Sequence, residues 1–98
     1  MDRIVQALRA KHPVVFGTGI TESFMSHKGH GVVERPSEQT VGNHAMIIVG
    51  YVNGNFIVKN SWSKSWGSNG FCWMAPSYLT WDTSFDFWVP TQGADLST

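Results

Sequence analysis

Two apolar, β-branched segments around the dipeptide Asn53-Gly54 constrain the fold more than any other feature of the chain. One segment covers residues 44–52 and the other covers residues 56–59. Asn-Gly between two such segments is the strongest short-range signal of a β-hairpin, because both residues accept the left-handed backbone of a tight turn. The sequence therefore predicts an antiparallel hairpin at the centre of the chain.

Shorter elements are predicted on both sides of this hairpin. Residues 3–11 have the apolar spacing of a helix, with Asp2 as its N-cap and His12-Pro13 at its end. The remaining predictions are strands at 14–16, 32–34, 71–74 and 85–89, a helical turn at 22–25, a turn at 76–79 and an ordered loop at 61–70. We therefore expect a small, mainly antiparallel β domain with one N-terminal helix.

Length and charge limit the classes of partner. The chain has 98 residues, which suits one small domain. Its 7 Lys and Arg balance its 7 Asp and Glu, so it lacks the basic surface that binding to nucleic acid phosphates or to anionic membranes requires. Charged residues make up 14% and aromatic residues 13%, which predicts a packed domain with aromatic surface to bury, in its core or against another chain.

Cys72 is the single cysteine, so the chain can form neither an intrachain disulfide nor a Cys-rich zinc site. We expect Cys72 to be a small, buried, apolar side chain. His27 and His30 could be read as a metal-binding pair, but a glycine-rich segment without a further ligand favours a solvated loop. The sequence therefore predicts no metal and no cofactor.

The N-terminal residues lack the uninterrupted apolar core of a signal peptide. The longest strongly apolar run, residues 45–49, is far shorter than a membrane span. We expect no membrane association, and the location remains open between the cytoplasm and a larger assembly.

His44 begins the longer hairpin segment and Asn60 directly follows the shorter one, so the hairpin can bring them together. An imidazole that is oriented by an amide forms the second and third parts of a Cys–His–Asn catalytic apparatus. In such a site the thiol gives its proton to the imidazole, and the resulting ion pair keeps the thiolate reactive. The alternative is a strand-end histidine and a turn amide that make only local hydrogen bonds.

The hairpin register tests this pairing. With a two-residue turn, Ile47 lies opposite Asn60, and His44 then points to the other face of the sheet, since one step of register flips every side chain. With a three-residue loop that bulges at Gly54, Met46 lies opposite Asn60, and His44 becomes its diagonal neighbour on the same face. The catalytic interpretation therefore predicts the bulged loop.

Three segments resemble the papain-like cysteine peptidases. Residues 42–51 (GNHAMIIVGY) resemble the histidine strand of this family, and residues 56–62 (FIVKNSW) resemble its asparagine strand. Residues 65–71 (SWGSNGF) are similar to the aromatic and glycine loop that follows. Residues 4–16 and 86–89 extend the resemblance, which covers roughly residues 3–89.

The resemblance implies a role for each matching position. His44 matches the catalytic histidine, and Asn60 matches the asparagine that orients it. Trp62 matches the indole that covers the hydrogen bond between them and keeps water away. Asn43 is implied to border a substrate subsite, and Trp66 matches an aromatic near the leaving-group side of the cleft.

The resemblance also implies an α+β fold, mainly antiparallel β: a papain-like β-barrel half-domain with one N-terminal helix over residues 1–90, followed by a flexible tail over residues 91–98. This is the C-terminal half of the family's fold. The nucleophilic cysteine and the oxyanion glutamine belong to the other half and have no counterpart in this sequence. Cys72 falls at an ordinary strand position of the family, and Ser63 replaces a glycine that usually follows the Asn-Ser-Trp motif.

Three functions follow. The chain is a peptidase half that is inactive alone and needs a partner chain to supply the cysteine, or a non-catalytic structural or binding module of a larger assembly such as a virion or tail, or an excised part of a complete enzyme. A free half would expose His44 and an aromatic patch, and large exposed apolar patches mark interaction sites. We therefore expect a protein partner, and neither nucleic acid nor a membrane as partner.

Overall fold

One sheet of seven strands organises the protein, a computed structural model of which describes residues 2–81, 84–89 and 94–95. In chain order the elements are α1 (Asp2–Arg9), β1 (Val14–Ile20), α2 (Glu22–Met25), β2 (Val32–Val33), β3 (Gly42–Val52), β4 (Asn55–Lys59), β5 (Phe71–Met74), α3 (Pro76–Leu79), β6 (Phe85–Val89) and β7 (Ala94–Asp95). The strand order is β2-β5-β4-β3-β1-β6-β7, and every pair is antiparallel except β2 with β5. The predicted α+β class with mainly antiparallel strands is confirmed.

Helix α1 ends at Arg9, earlier than predicted, because a capping motif closes it. Lys11 takes a left-handed backbone with φ 64° and donates its N–H to the Leu8 carbonyl at 2.9 Å. His12 donates its N–H to the Ala7 carbonyl at 2.9 Å, which completes a Schellman motif. The predicted N-cap, Asp2, is instead the first residue of the helix.

Strand β1 is longer than predicted. The sequence predicts that β1 ends before Gly17, because glycine weakens a strand. In the structure β1 pairs residue by residue with β3, from Val14 opposite Ile48 to Ile20 opposite Gly42. The ladder of hydrogen bonds to a long neighbouring strand therefore outweighs the low strand propensity of glycine.

The hydrophobic core lies on one face of the sheet, and the two one-turn helices α2 and α3 contribute Phe24 and Tyr78 to it. Alternate residues of β1, β3, β4 and β5 point into it, as expected for antiparallel strands with one buried face. The apolar strand residues with the lowest exposure are Val14, Phe16, Ile48, Phe56, Val58, Met74 and Val89.

The central hairpin forms as predicted, but its register is set differently. The turn has two residues, with Val52 opposite Asn55, so the predicted three-residue loop is wrong. A bulge at Val49 instead inserts one extra residue between the Ile48 and Gly50 pairs. This bulge produces the same one-residue shift that the catalytic interpretation required, and it does so inside the strand rather than at the turn.

The other short elements agree with the sequence in position. The strands at 71–74 and 85–89 and the helical turn at 22–25 are confirmed, and the predicted strand at 32–34 is formed by Val32–Val33. The predicted turn at 76–79 is a single helical turn, α3. In the predicted tail, Ala94–Asp95 pairs with β6, and residues 91–93 and 96–98 lie outside the described residues. Among the described helices, none has the length and apolar character to cross a membrane.

Candidate active site

His44 and Asn60 meet across the hairpin. The Nε2 atom of His44 lies 2.8 Å from Oδ1 of Asn60. Asn60 is 3% exposed and follows β4 directly, whereas His44 is partly exposed near the start of β3. The bulge brings both side chains to the same face, so the pairing follows from the strand register.

The chemistry of the two atoms fixes which ring nitrogen of the neutral imidazole carries the proton. An amide oxygen only accepts hydrogen bonds, so Nε2 of His44 donates to Oδ1 of Asn60. In the neutral ring Nδ1 then carries the lone pair. No described residue makes a hydrogen bond to Nδ1, and this atom is therefore free to act as a base.

Asn60 is held by the backbone around it. Its N–H donates to the Gly70 carbonyl at 2.9 Å. Its Oδ1 also accepts the N–H of Trp62 at 3.4 Å. These contacts fix the amide oxygen that His44 meets, while the buried Nδ2 of Asn60 has no hydrogen-bond partner among the described residues.

Trp62 covers the pair. Its ring stacks on the imidazole of His44 with centroids 4.7 Å apart and an interplanar angle of 25°. A hydrogen bond that is shielded from water is electrostatically stronger than an exposed one. The indole therefore both restricts the rotation of the imidazole and protects its bond to Asn60.

Two further aromatic residues support Trp62 from behind. Trp66 is buried and meets Trp62 edge-on at 5.7 Å, and Phe24 does the same at 5.9 Å. The indole N–H of Trp66 donates to the Phe24 carbonyl at 2.7 Å, which satisfies its buried donor. The sequence predicts the helical turn that carries Phe24, but it predicts no role for this side chain.

Asn43 does not join this cluster. It precedes His44 in β3, pairs with Gly19 of β1, and is exposed. Because side chains alternate along a strand, Asn43 points away from the face that carries the imidazole. It stays a candidate for contact with a substrate rather than with the His44–Asn60 pair.

Residues 60–70 connect β4 to β5 and form the site loop, which a second Asn-Gly turn closes. Asn69 has φ 54° and Gly70 has φ 87°, and the flanking Ser68 and Phe71 exchange hydrogen bonds of 2.8 and 3.0 Å. The ordered loop predicted at 61–70 is therefore present. Ser63, where the family usually has glycine, is not among the residues with positive φ, so serine fits this backbone without strain.

Gly67 is the tightest position of the site loop. It has φ 60°, and a Cβ atom there would lie 2.3 Å from the Phe71 carbonyl oxygen. Its N–H donates to the His27 carbonyl at 2.8 Å, and its own carbonyl accepts the N–H of Gly29 at 3.0 Å. These bonds attach the site loop to the segment that follows α2.

Cys72 is not placed to act as a nucleophile. It lies on β5 opposite Val58, on the core side of the sheet, and is buried. Burial raises the pKa of its thiol to about 12, so the thiol stays protonated at neutral pH. The prediction of a small, buried, apolar side chain is confirmed.

The two histidines considered as metal ligands lie in different surroundings. His30 is exposed, as predicted, whereas His27 packs against Trp66 with ring centroids 5.8 Å apart. Burial lowers the pKa of His27, so its ring stays neutral over a wider pH range. Within residues 2–81, 84–89 and 94–95, no three His, Cys, Asp or Glu side chains are grouped as metal ligands would be.

Comparison with known proteins places this geometry in a family. Residues 1–81 match the family model described as papain family cysteine protease. An uncharacterised peptidase C1-like protein of Acanthamoeba polyphaga mimivirus is 38% identical over 102 residues, which cover 97% of this chain and 33% of that protein. Mouse pro-cathepsin H is 36% identical over 74 residues, which cover 69% of this chain and 22% of that protein.

A solved structure agrees with the sequence comparisons. Xylellain, a cysteine protease from Xylella fastidiosa, superposes with a TM-score of 0.77 at 27% identity, over 88% of this chain and 34% of that one. The chain thus spans about a third or less of the length of these relatives. Because the family model matches most of the sequence, the chain belongs to the papain family of cysteine proteases.

Proposed function

We propose that the chain carries the His/Asn part of a cysteine peptidase site and is inactive without the polypeptide that supplies the cysteine. The observation that supports this most is the 2.8 Å contact between His44 Nε2 and Asn60 Oδ1, stacked under Trp62, with Nδ1 of His44 left open. A histidine with a merely structural role needs neither a buried amide partner nor an open Nδ1.

The proposed reaction is amide hydrolysis through a thioester. A thiol facing Nδ1 of His44 gives up its proton, and the thiolate attacks the carbonyl carbon of the scissile amide. The C–N bond then breaks as the imidazolium of His44 protonates the leaving amine. Water, deprotonated by the same ring, hydrolyses the thioester and releases the acid, which restores the thiol.

Asn60 acts in this scheme by positioning the imidazole. Its neutral amide oxygen holds Nε2 of His44 without adding a negative charge that would compete with the thiolate for the imidazolium. Trp62 keeps water away from this bond, and Trp66 holds Trp62 in place. Asn43, exposed beside His44, is proposed to border the bound substrate.

The cysteine comes from a different polypeptide segment in this proposal. Cys72 is excluded by its burial, and its thiol stays protonated at neutral pH. The relatives are about three times as long as this chain or longer, which leaves ample sequence for a cysteine-bearing part. That part is either a separate chain or the remainder of a longer one.

A thiol-reactive, peptide-like probe applied to the native complex tests the proposal. We expect the probe to label a cysteine outside residues 1–98, and His44→Ala to reduce the labelling rate by a factor of about 100 or more, since a lost general base costs about that much. Cys72→Ser is the matched control, and it should leave labelling unchanged.

The isolated chain should not react with the probe at a rate above that of a buried thiol. Labelling of Cys72 in the native chain would contradict the proposed origin of the nucleophile. Labelling that persists in His44→Ala, or a complex without any reactive thiol, would favour the alternative of a structural or binding module.

A further inference from the structure

Two copies of the same reactive dipeptide lie in different surroundings, Asn53-Gly54 in the hairpin turn and Asn69-Gly70 in the site loop. Glycine has no side chain to shield its backbone nitrogen, which can therefore approach the side-chain amide of the preceding asparagine. Both asparagines are exposed and both have φ 54°, so their exposure and backbone conformation do not distinguish the two dipeptides. Any difference in reactivity must then come from the two glycines.

The reaction open to such a dipeptide is deamidation through a succinimide. The deprotonated backbone nitrogen of the glycine attacks Cγ of the asparagine, and the new N–C bond closes a ring. The Cγ–Nδ2 bond breaks, and the side-chain nitrogen takes up a proton and leaves as ammonia. Water then opens the ring at either of its carbonyls, which returns a proton to the glycine nitrogen and gives aspartate or isoaspartate. Water is the only co-reactant that these steps need.

The backbone nitrogen of Gly54 is free to react. No carbonyl oxygen of the described residues accepts its N–H, and Gly54 itself is exposed. A Cβ atom built on Gly54 would meet no atom within 4 Å, so the turn has room to change its conformation. Exposed turns of this kind open at little cost in free energy, which lets the nitrogen approach Cγ of Asn53.

The backbone nitrogen of Gly70 is held by the site loop. Its N–H donates to the Trp66 carbonyl at 2.8 Å, and the residue is buried. Its carbonyl accepts the N–H of Asn60 at 2.9 Å, and the neighbouring Ser68 and Phe71 exchange two further backbone hydrogen bonds. Attack by this nitrogen on its own asparagine therefore requires that hydrogen bonds of the site loop break first, which leaves buried groups unpaired.

We propose that Asn53 is a site of spontaneous deamidation, and that Asn69 in the identical dipeptide is protected for as long as the site loop is closed. The conversion at Asn53 adds a negative charge, and isoaspartate also adds a methylene group to the main chain of the turn. Asn69 reacts only when the loop that holds the backbone of Asn60 opens, so its deamidation reports opening of the candidate site. Neither reaction uses the imidazole of His44, and the modification is therefore independent of the proposed peptidase function.

Peptide mapping by mass spectrometry tests this difference in the full chain. The folded chain is incubated in mildly alkaline buffer, which favours the deprotonated glycine nitrogen, and aspartate plus isoaspartate are quantified at residues 53 and 69 over time. We expect formation at residue 53 to be at least about 10-fold faster, since breaking even one buried hydrogen bond lowers the reactive population about that much. In the urea-unfolded chain the two rates should agree within about threefold, because the structure that separates them is lost.

Two matched substitutions check the assignment, since serine has no side-chain amide to lose. Asn53→Ser should remove most of the acidic product that ion-exchange chromatography separates, whereas Asn69→Ser should leave its amount unchanged. Hydrogen exchange measures the same difference without a variant. The Gly54 amide should exchange at nearly the rate of an unfolded peptide, and the Gly70 amide at least about 10-fold more slowly.

Circular dichroism before and after the incubation verifies that the chain stays folded. Equal deamidation rates at residues 53 and 69 of the folded chain would overturn the proposal, and so would a faster reaction at residue 69. A preference for residue 53 that persists undiminished in urea would also overturn it, because the neighbouring sequence and not the fold would then set the two rates.

Discussion

Two Asn-Gly turns of the same geometry lie in this chain and serve different purposes. In the hairpin turn, Asn53 has φ 54° and Gly54 has φ 83°, and in the site loop Asn69 has φ 54° and Gly70 has φ 87°. Each turn joins residues that pair as antiparallel neighbours. The dipeptide thus sets the local backbone in both places, because both residues accept positive φ at little cost.

The surroundings of the two turns differ. A Cβ atom on Gly54 would meet no atom within 4 Å, and the hairpin turn is exposed. Gly70 is buried, and its carbonyl accepts the N–H of Asn60, the residue that orients His44. The same Asn-Gly signal therefore makes a simple chain reversal at the hairpin turn and supports the candidate site in the site loop.

The largest effect should come from the bulge at Val49, which sets the register of β3 between the hairpin turn and the candidate site. Deletion of Val49 removes the bulge, so that the side chains of residues 42–48 exchange faces of the sheet. Met46 and Ile48 would then leave the core. Exposing two large apolar side chains costs about 3–6 kcal/mol, which is enough to unfold a small domain. Urea unfolding followed by circular dichroism measures the loss.

Val49→Ala keeps the bulge and is the control for that deletion. It should change stability by less than about 1 kcal/mol, since Val49 is an exposed residue. A deletion variant that keeps both its stability and the His44–Asn60 hydrogen bond would show that the bulge does not set the register.

A methyl group at Gly67 should be the next most disruptive change. Its Cβ would lie 2.3 Å from the Phe71 carbonyl, and the residue would be held at φ 60°. We expect Gly67→Ala to lower the free energy of unfolding by about 3 kcal/mol, from the clash and the left-handed backbone together. Gly54→Ala, with left-handed φ and open space, should lose only about 1 kcal/mol, and equal losses in urea titrations would refute the difference between the two regions.

The two Asn-Gly turns can be compared directly through their glycines. Gly70→Ala and Gly54→Ala should each cost about 1 kcal/mol, since neither added Cβ would approach another atom closer than 3.9 Å. Only Gly70→Ala should shift the imidazole NMR signals of His44, because Gly70 holds the backbone of Asn60. Unchanged His44 signals in both variants would mean that the second turn does not position the site.

The smallest effect should be a pH dependence of the free energy of unfolding that arises from His27. This residue lies in the segment whose backbone is hydrogen-bonded to the site loop. Burial lowers the pKa of His27 below its ordinary value of 6.5, so the unfolded chain binds a proton at a higher pH than the folded chain does. Stability should therefore fall as the pH drops below about 6.5, until the folded-state pKa is passed.

Urea midpoints measured between pH 7.5 and pH 5 in wild type and His27→Gln isolate this contribution. The variant should lose part of the pH dependence, and the same change at the exposed His30 should leave it intact. An identical slope in wild type and His27→Gln would contradict the assignment to His27.

Much of the architecture could be predicted from periodicity and turn chemistry. The hairpin, β5, β6 and α2 were predicted at the right places, because alternating apolar residues and an Asn-Gly turn are local signals. The end of β1 was missed because Gly17 reads as a strand terminator when its partner strand is unknown. Long-range pairing supplied the stability that local propensity lacks.

The contacts of the candidate site were likewise predicted only in part. His44 and Asn60 meet across the predicted hairpin, and Trp62 stacks on the imidazole as the family resemblance implied. The support from Phe24 was not predicted, because it is 38 residues from Trp62 in sequence and joins it only through packing. Packing contacts between residues so far apart in sequence produce no periodic pattern that could predict them.

The sequence by itself determined that a hairpin would join a histidine to an asparagine, and that the lone cysteine would lie in a strand. Only the tertiary structure decided that the two would share a face, because a single extra residue at Val49 sets the register and nothing in the local sequence identifies that residue as a bulge. It also decided that the outer face of the sheet is apolar around Lys59, since the alternation of exposed residues becomes a surface only when the strands are in register.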